Sequence, residues 1–178
     1  MTDKPLLRNN FLEGMSLTPE DLHLEQTYFR EKHRLHNRSL HGFGIVSGLE
    51  VDQRRNQLVI TPGLALDCQG NEILVAEPVE LTLPETLSAT SIFLCIRYSE
   101  REAKPASTKE TSQGSCERSR VADSFVTTFE NHNTNQRHRH VMRRWQACGK
   151  PHGLVLARLR CTSGQWRLDR RMQRPSVK

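Results

Sequence analysis

Long hydrophobic runs are missing from this 178-residue chain. No stretch approaches the roughly 18 apolar residues that a membrane helix requires. The opening MTDKPLLRNN also lacks the apolar run of a signal peptide. A cytoplasmic protein without a direct membrane span is therefore expected. Cysteine is sparse: Cys68, Cys95, Cys116, Cys148 and Cys161 are scattered and odd in number. Such a set is expected as reduced thiols rather than a disulfide framework. Aromatics make up only 6% of the chain, and the tryptophans are Trp145 and Trp166 alone. That leaves few stacking platforms for single-stranded nucleic acid. No serine sits in a G-x-S-x-G turn. Carboxylates are thin where a catalytic pair would be wanted, and Asp67 and Glu72 read as turn and strand-edge residues. A non-enzymatic protein without cofactor or small-molecule substrate is expected.

What is present suits one domain, or one domain with an appendage. The hydrophobic fraction is 35% and the mean hydropathy −0.64, so a sizeable polar segment must lie outside the core. Charge is divided along the chain. Residues 1–100 carry nine Lys and Arg against 14 Asp and Glu, a net of −5; residues 101–178 carry 17 against six, a net of +11. An acidic body with a basic end points to an anionic partner surface, and charge alone does not choose between protein, nucleic acid and lipid.

Residues 1–17 read as an extended arm. A helix start follows at Thr18-Pro19-Glu20-Asp21, with Thr18 as N-cap, Pro19 at the first helical position and Asp21 closing a capping box. The helix is expected to run to about Leu40 and stop at Gly42. Leu17, Leu24, Tyr28 and Leu35, widened by Leu22, Phe29 and Leu40, give it one apolar face. Strands are expected at Ile45–Val51, Gln57–Leu66 (split by Pro62-Gly63), Glu72–Leu83 and Ser91–Tyr98. Ile92–Ile96 has the continuous apolar character of a strand buried on both faces. Residues 101–120 read as a flexible polar insert. Val121–Glu130 reads as a further strand, Asn131–Gly149 as a basic loop with a short helix at Val141–Ala147, and His152–Asp169 as a hairpin around Thr162-Ser163-Gly164. The expected organisation is thus an arm and amphipathic helix (1–42), a first β segment (43–100), the insert (101–120), β-core completion (121–169) and a basic tail (170–178). The fold class is α+β, mainly β: a long N-terminal helix packed on a small barrel or sandwich of about seven strands.

Candidate sites are few. Gly42-Phe43-Gly44-Ile45-Val46-Ser47-Gly48 follows a helix and precedes a strand, the reverse of a dinucleotide fingerprint, and misses its spacing. Its glycines turn the chain from helix into sheet. His33, His36 and His41 gather at the helix end, where imidazoles can serve as a polar cap or as metal ligands. His138, His140, Cys148 and His152, with Cys116 and Cys161, lack paired zinc spacing and sit among Arg118, Arg137, Arg139, Arg143 and Arg144, which repel a cation. No metal site is expected. Partner contacts are expected at Arg30, Arg34 and Arg38 on the helix. They are also expected at Arg167, Arg170, Arg171 and Arg174, where only Asp169 offsets four arginines.

Residues 11–75 carry a fairly specific pattern: F-x-x-G-M-x-L-T-x-x-D-L, E-Q-x-Y, H-N-R-x-L-H-G-x-G-I-V-x-G-L, then P-G-x-A-L-D-x-x-G-N-E-I. It resembles a family of small proteins encoded among the tail genes of contractile phage-tail-like injection systems. The later GLVLARLRCTSGQWRLD is similar, more generically, to strand pairs of phage baseplate and fibre proteins. The resemblance implies a tail- or baseplate-associated structural or adaptor component whose partners are protein subunits of the assembled particle. It supplies no catalytic residues. The alternative from another class is a nucleic-acid-binding accessory protein using the basic C-terminal segment; a small zinc-stabilised enzyme or regulator is a third.

Overall fold

The helix begins where its capping chemistry places it. In the computed structural model, which describes residues 5–85, 89–103, 120–135, 148 and 152–177, α1 spans Pro19–His36. The Thr18 hydroxyl accepts the Asp21 N–H at 3.2 Å, and the Asp21 carboxylate accepts the Thr18 N–H at 3.0 Å. Those bonds hold the Asp21 carboxyl below its ordinary value. The helix widens into one π-turn, Asn37–His41, and ends at Gly42, whose φ of 78° takes the chain into the sheet.

Ten strands are described rather than about seven, because turn-forming residues cut the long runs. The strands are β1 (Gly44–Gly48), β2 (Val51–Arg54), β3 (Gln57–Ile60), β4 (Gly63–Leu66), β5 (Glu72–Val75), β6 (Val79–Thr82), β7 (Ser91–Ala103), β8 (Arg120–Glu130), β9 (Leu154–Thr162) and β10 (Gln165–Leu168). Leu49, at φ 55°, breaks the first expected strand into β1 and β2, and Pro78 precedes β6 within the third. They form three antiparallel sheets ordered β1-β4-β5, β2-β3-β6 and β10-β9-β7-β8. One core joins them: Leu49, Leu58, Ile60, Ile73, Leu94, Ile96, Leu156 and Leu159 are all fully buried. Within β7, Leu94, Cys95 and Ile96 are all buried, so both faces of that segment are covered. Burial pushes the Cys95 thiol up to about 11 and the Cys68 thiol up to about 12, which keeps both protonated at neutral pH.

β9 pairs with β7 only from Ser91 to Ile96, whereas β8 follows β7 out to Ala103. Residues 97–103 and 120–126 thus run on beyond β9 as a two-stranded ribbon, with Tyr98 and Phe125 packed against the core. Residues 101–103 and Arg120, expected in the polar insert, belong to it; 104–119, the rest of the insert, lie outside the described residues, as does the helix expected at Val141–Ala147. The chain end is built in. Ile45 donates its N–H to the Pro175 carbonyl at 2.8 Å and accepts from Val177 at 3.1 Å, a parallel bridge on the free edge of β1.

The helix does not enter the core. No residue of α1 is buried, and Leu22, Leu24 and Phe29 are exposed. Its expected apolar stripe does not replace polar bonds with packing. The N-terminal arm lies along it instead, with Asn9 donating to the Asp21 carbonyl at 2.5 Å and to Glu25 at 3.3 Å.

Candidate docking surfaces

The helix meets the β-core through polar groups near its C-terminus. Asn37, 5% exposed, donates to the Gly70 carbonyl at 3.0 Å and to Glu72 at 3.3 Å. Arg38 donates to the Gln69 carbonyl at 3.2 Å. His33 lies 3.2 Å from Glu72. Arg34 pairs with Glu31 at 2.8 Å and reaches Glu100 on the ribbon at 4.0 Å, with Arg30 at 3.8 Å from the same carboxylate. The receiving turn, Asp67–Asn71, is rigid: the Asp67 carboxylate accepts the N–H groups of Gln69 and Asn71 and the Asn71 amide, at 2.7–2.9 Å. Gly70 is required there. Its φ is 90°, and a Cβ would stand 2.1 Å from the Arg34 carbonyl. Arg30, Arg34 and Arg38 therefore all face anchoring groups of the chain itself. Tyr98 on the ribbon donates to Asp123 at 2.6 Å, and burial with these carboxylates raises its pKa.

Asp169 organises the C-terminal arginines. Its side chain, 8% exposed, accepts from Arg158 and Arg160 and from the Arg171 N–H, and these contacts hold its carboxyl below the usual range. Arg174 donates to the Leu49 carbonyl at 2.8 Å and pairs with Glu50. Arg167, Arg170 and Arg171 remain exposed, with Arg170 only 3.8 Å from Asp52. Two of them, Arg167 and Arg170, border an open groove of about 950 Å³ between β2 and β10, with Arg55, Asn56, Glu85 and the edge of Trp166. Gln53 joins its walls. Its amide donates to the Trp166 carbonyl at 2.8 Å, and its oxygen accepts the Leu168 N–H at 2.8 Å. Nothing in the sequence marks Gln53, which stands 113 residues from its first partner. The Asp169 clamp had a faint signal, a single acid among arginines.

A third surface is apolar. Leu6, Leu7, Phe11, Leu12, Met15 and Leu17 of the arm are exposed beside Leu22 and Phe29 of the helix. These arm side chains are 41–68% exposed, and exposed apolar side chains gathered in one patch mark interaction surfaces.

His33, His36 and His41 do not converge on one point. His36 and His41 rings lie 5.5 Å apart, while His33 turns to Glu72. Among the described residues no group of three or more His, Cys, Asp or Glu could hold an ion. His138, His140 and Cys116 lie outside them. Cys148 and His152 sit beside Cys68, which accepts the His152 N–H. Among the described residues, no helix is long and apolar enough to cross a membrane.

The fold is similar to that of TssK. A crystal structure of TssK superposes with a TM-score of 0.51 at 13% identity, covering 93% of this chain and 41% of the other. A chain of the type VI secretion system TssK-TssF-TssG baseplate subcomplex gives 0.52 at 14%, covering 96% and 62%. A chain of the type VI secretion baseplate complex gives 0.50 at 17%, covering 97% and 60%. This chain thus spans about two-fifths to three-fifths of those proteins. At such identities the likeness is one of fold. No family model matches the sequence. No curated protein matches it.

Proposed function

We propose that this chain is a non-enzymatic structural or adaptor component of a contractile phage-tail-like injection particle, acting in the cytoplasm by docking to protein subunits of the assembly. The observation that carries the reading is fold likeness over at least 93% of the chain to solved structures of TssK and of the type VI secretion baseplate. The surfaces favour docking over chemistry: an exposed apolar arm, a two-stranded ribbon and a basic C-terminal face. Assembly proteins need complementary surfaces of this kind more than pockets. Arg167, Arg170 and Arg171 are the arginines we assign to partner contact. Arg174, Arg38, Arg34 and Arg30 already hold the fold together and contribute through their remaining donors.

The test is co-sedimentation of the tagged chain with the sheath, tube and baseplate proteins of a tail-like particle from the same cells. The wild type is expected in the particle fraction, less so as salt rises. Changing Arg167, Arg170 and Arg171 to Ser is expected to lower incorporation while the melting temperature stays nearly constant, since exposed pairs contribute little to stability. Absence from the particle fraction at every salt concentration would sink the reading.

A further inference from the structure

We infer that the groove between β2 and β10 is a receptor for an acidic, extended segment of a partner protein. The inference rests on the docking reading above and gives it a specific surface and partner chemistry.

Charge is the first argument. Arg55, Arg167 and Arg170 border the groove, and Glu85 is the single acid among the described residues that line it. Neither Arg55 nor Arg167 forms an ion pair with a described residue, and Arg170, its side chain 83% exposed, has only Asp52 at 3.8 Å. The arginines of the neighbouring segments are engaged: Arg158 and Arg160 on Asp169, Arg174 on Glu50. The groove therefore presents guanidinium forks whose geometry matches carboxylates bidentately, and of these three only Arg170 has an ion-pair partner among the described residues, Asp52.

Backbone strain is the second. Arg55 is held at φ 53°, a left-handed conformation that suits Gly or Asn and costs a side chain such as arginine. That arginine sits in the two-residue turn that joins β2 to β3. Ser163 and Gly164 turn the β9–β10 hairpin at φ 50° and 74°, and the Gln53 amide ties β2 to β10. Preorganised donors of this kind lower the ordering cost of binding.

Shape and chemistry choose the ligand. About 950 Å³ lies at the top of the range for ligand pockets, roughly 300–1,000 Å³, and the groove is partly open to solvent, which suits a chain segment. Bases find no platform. Trp166 is 5% exposed and spends its indole N–H on the Pro84 carbonyl at 3.0 Å.

The experiment uses the full chain and fluorescence anisotropy. The probe is a short labelled peptide of alternating Glu and Ser; its Gln-Ser counterpart and a labelled oligothymidine are the comparators. The wild type is expected to bind the Glu peptide, more weakly as salt rises from about 50 to about 300 mM, and the Gln peptide at least about tenfold less well. The triple variant Arg55→Asn, Arg167→Ser, Arg170→Ser is expected to lose at least about tenfold in affinity. Its Asn suits the left-handed turn, so the fold is kept, and melting checks this. Arg101→Ser, outside the groove, is expected to bind as wild type. Equal binding by the triple variant, or binding of oligothymidine in preference to the Glu peptide, overturns the inference. If the peptide fails to bind while the wild type still co-sediments with the particle, the groove is not the receptor and the docking reading stands. If the peptide binds through these arginines and co-sedimentation fails, the receptor stands and the particle assignment falls.

Discussion

Gln53 offers the sharpest test of how the sheets are joined. Truncating it to Ala removes two bonds of 2.8 Å at once, one to the Trp166 carbonyl and one from the Leu168 N–H, and a weaker one at 3.3 Å to the Arg55 carbonyl. A net protein hydrogen bond contributes about 1 kcal/mol, and an orphaned buried partner costs about 1–3 kcal/mol. The β10 edge is part-buried, and water from the groove can reach it, so the lower end applies. The expected loss is about 2 kcal/mol. Gln57→Ala, on an exposed position of β3, serves as control and is expected within about 0.5 kcal/mol of wild type. Urea denaturation gives the stabilities, and amide hydrogen exchange reads Leu168 directly. Gln53→Glu is informative too: it keeps the acceptor for Leu168 but sets a carboxylate against the Trp166 carbonyl, so it is expected to destabilise as well. If Gln53→Ala costs no more than Gln57→Ala and Leu168 keeps its protection, the side chain does not join the sheets.

Two further outcomes follow from burial and from charge. Leu94→Ala is expected to cost about 2–5 kcal/mol because the side chain is fully buried in the central strand, while Leu24→Ala on the helix is expected to cost under about 1 kcal/mol; equal losses in denaturant melts would mean that the helix packs on the core after all. Asp169 has a depressed pKa, so its contribution is complete above the unfolded carboxylate value of about 3.9 and is lost as pH falls through the lower folded value. Asp169→Asn is thus expected to be less stable than wild type at neutral pH, with the gap closing below about pH 4; a gap unchanged down to about pH 3 would refute the assignment.

Local chemistry was legible in the sequence, and long-range chemistry was not. Thr18-x-x-Asp21 announced a capping box that forms as expected, because all its partners lie within three residues. Apolar patterning and turn residues located β3, β4, β8, β9 and β10 closely and the start of β7, which runs five residues past its expected end. The apolar stripe of α1 misled. Leu24, Tyr28 and Leu35 have the spacing of a core-facing helix, yet the sheets close a core without them, and periodicity cannot say which surface a stripe meets. Counting the arginines near the end as one basic run was equally blind to partners. Arg174 finds Glu50 more than 120 residues away, and Asp169 draws in Arg158 and Arg160 across the hairpin. Sequence distance hid the Arg174–Glu50 pair, whereas Asp169 lies within 11 residues of its arginines and only their pairing went unread.

The polar attachment of the helix has a physical consequence. An isolated helix of 18 residues is marginal in water, so α1 owes its order to its cap, to Asn9 and to the bonds on Gly70, Gln69 and Glu72. The buried apolar core, by contrast, begins at Ile45. Stability and presentation are therefore carried by different parts of the chain. The β-core can hold its fold while arm and helix keep Leu7, Phe11, Leu12 and Phe29 in water, an arrangement that opposes the hydrophobic effect in the isolated protein. Covering that patch on a partner would recover the opposing energy without disturbing any side chain of the core. Polar bonds suit such an attachment: they fix direction through the Asn37 and Arg38 donors, yet they let the helix form without first being packed. A helix fastened by packed leucines would gain stability, but its apolar face would already be spent.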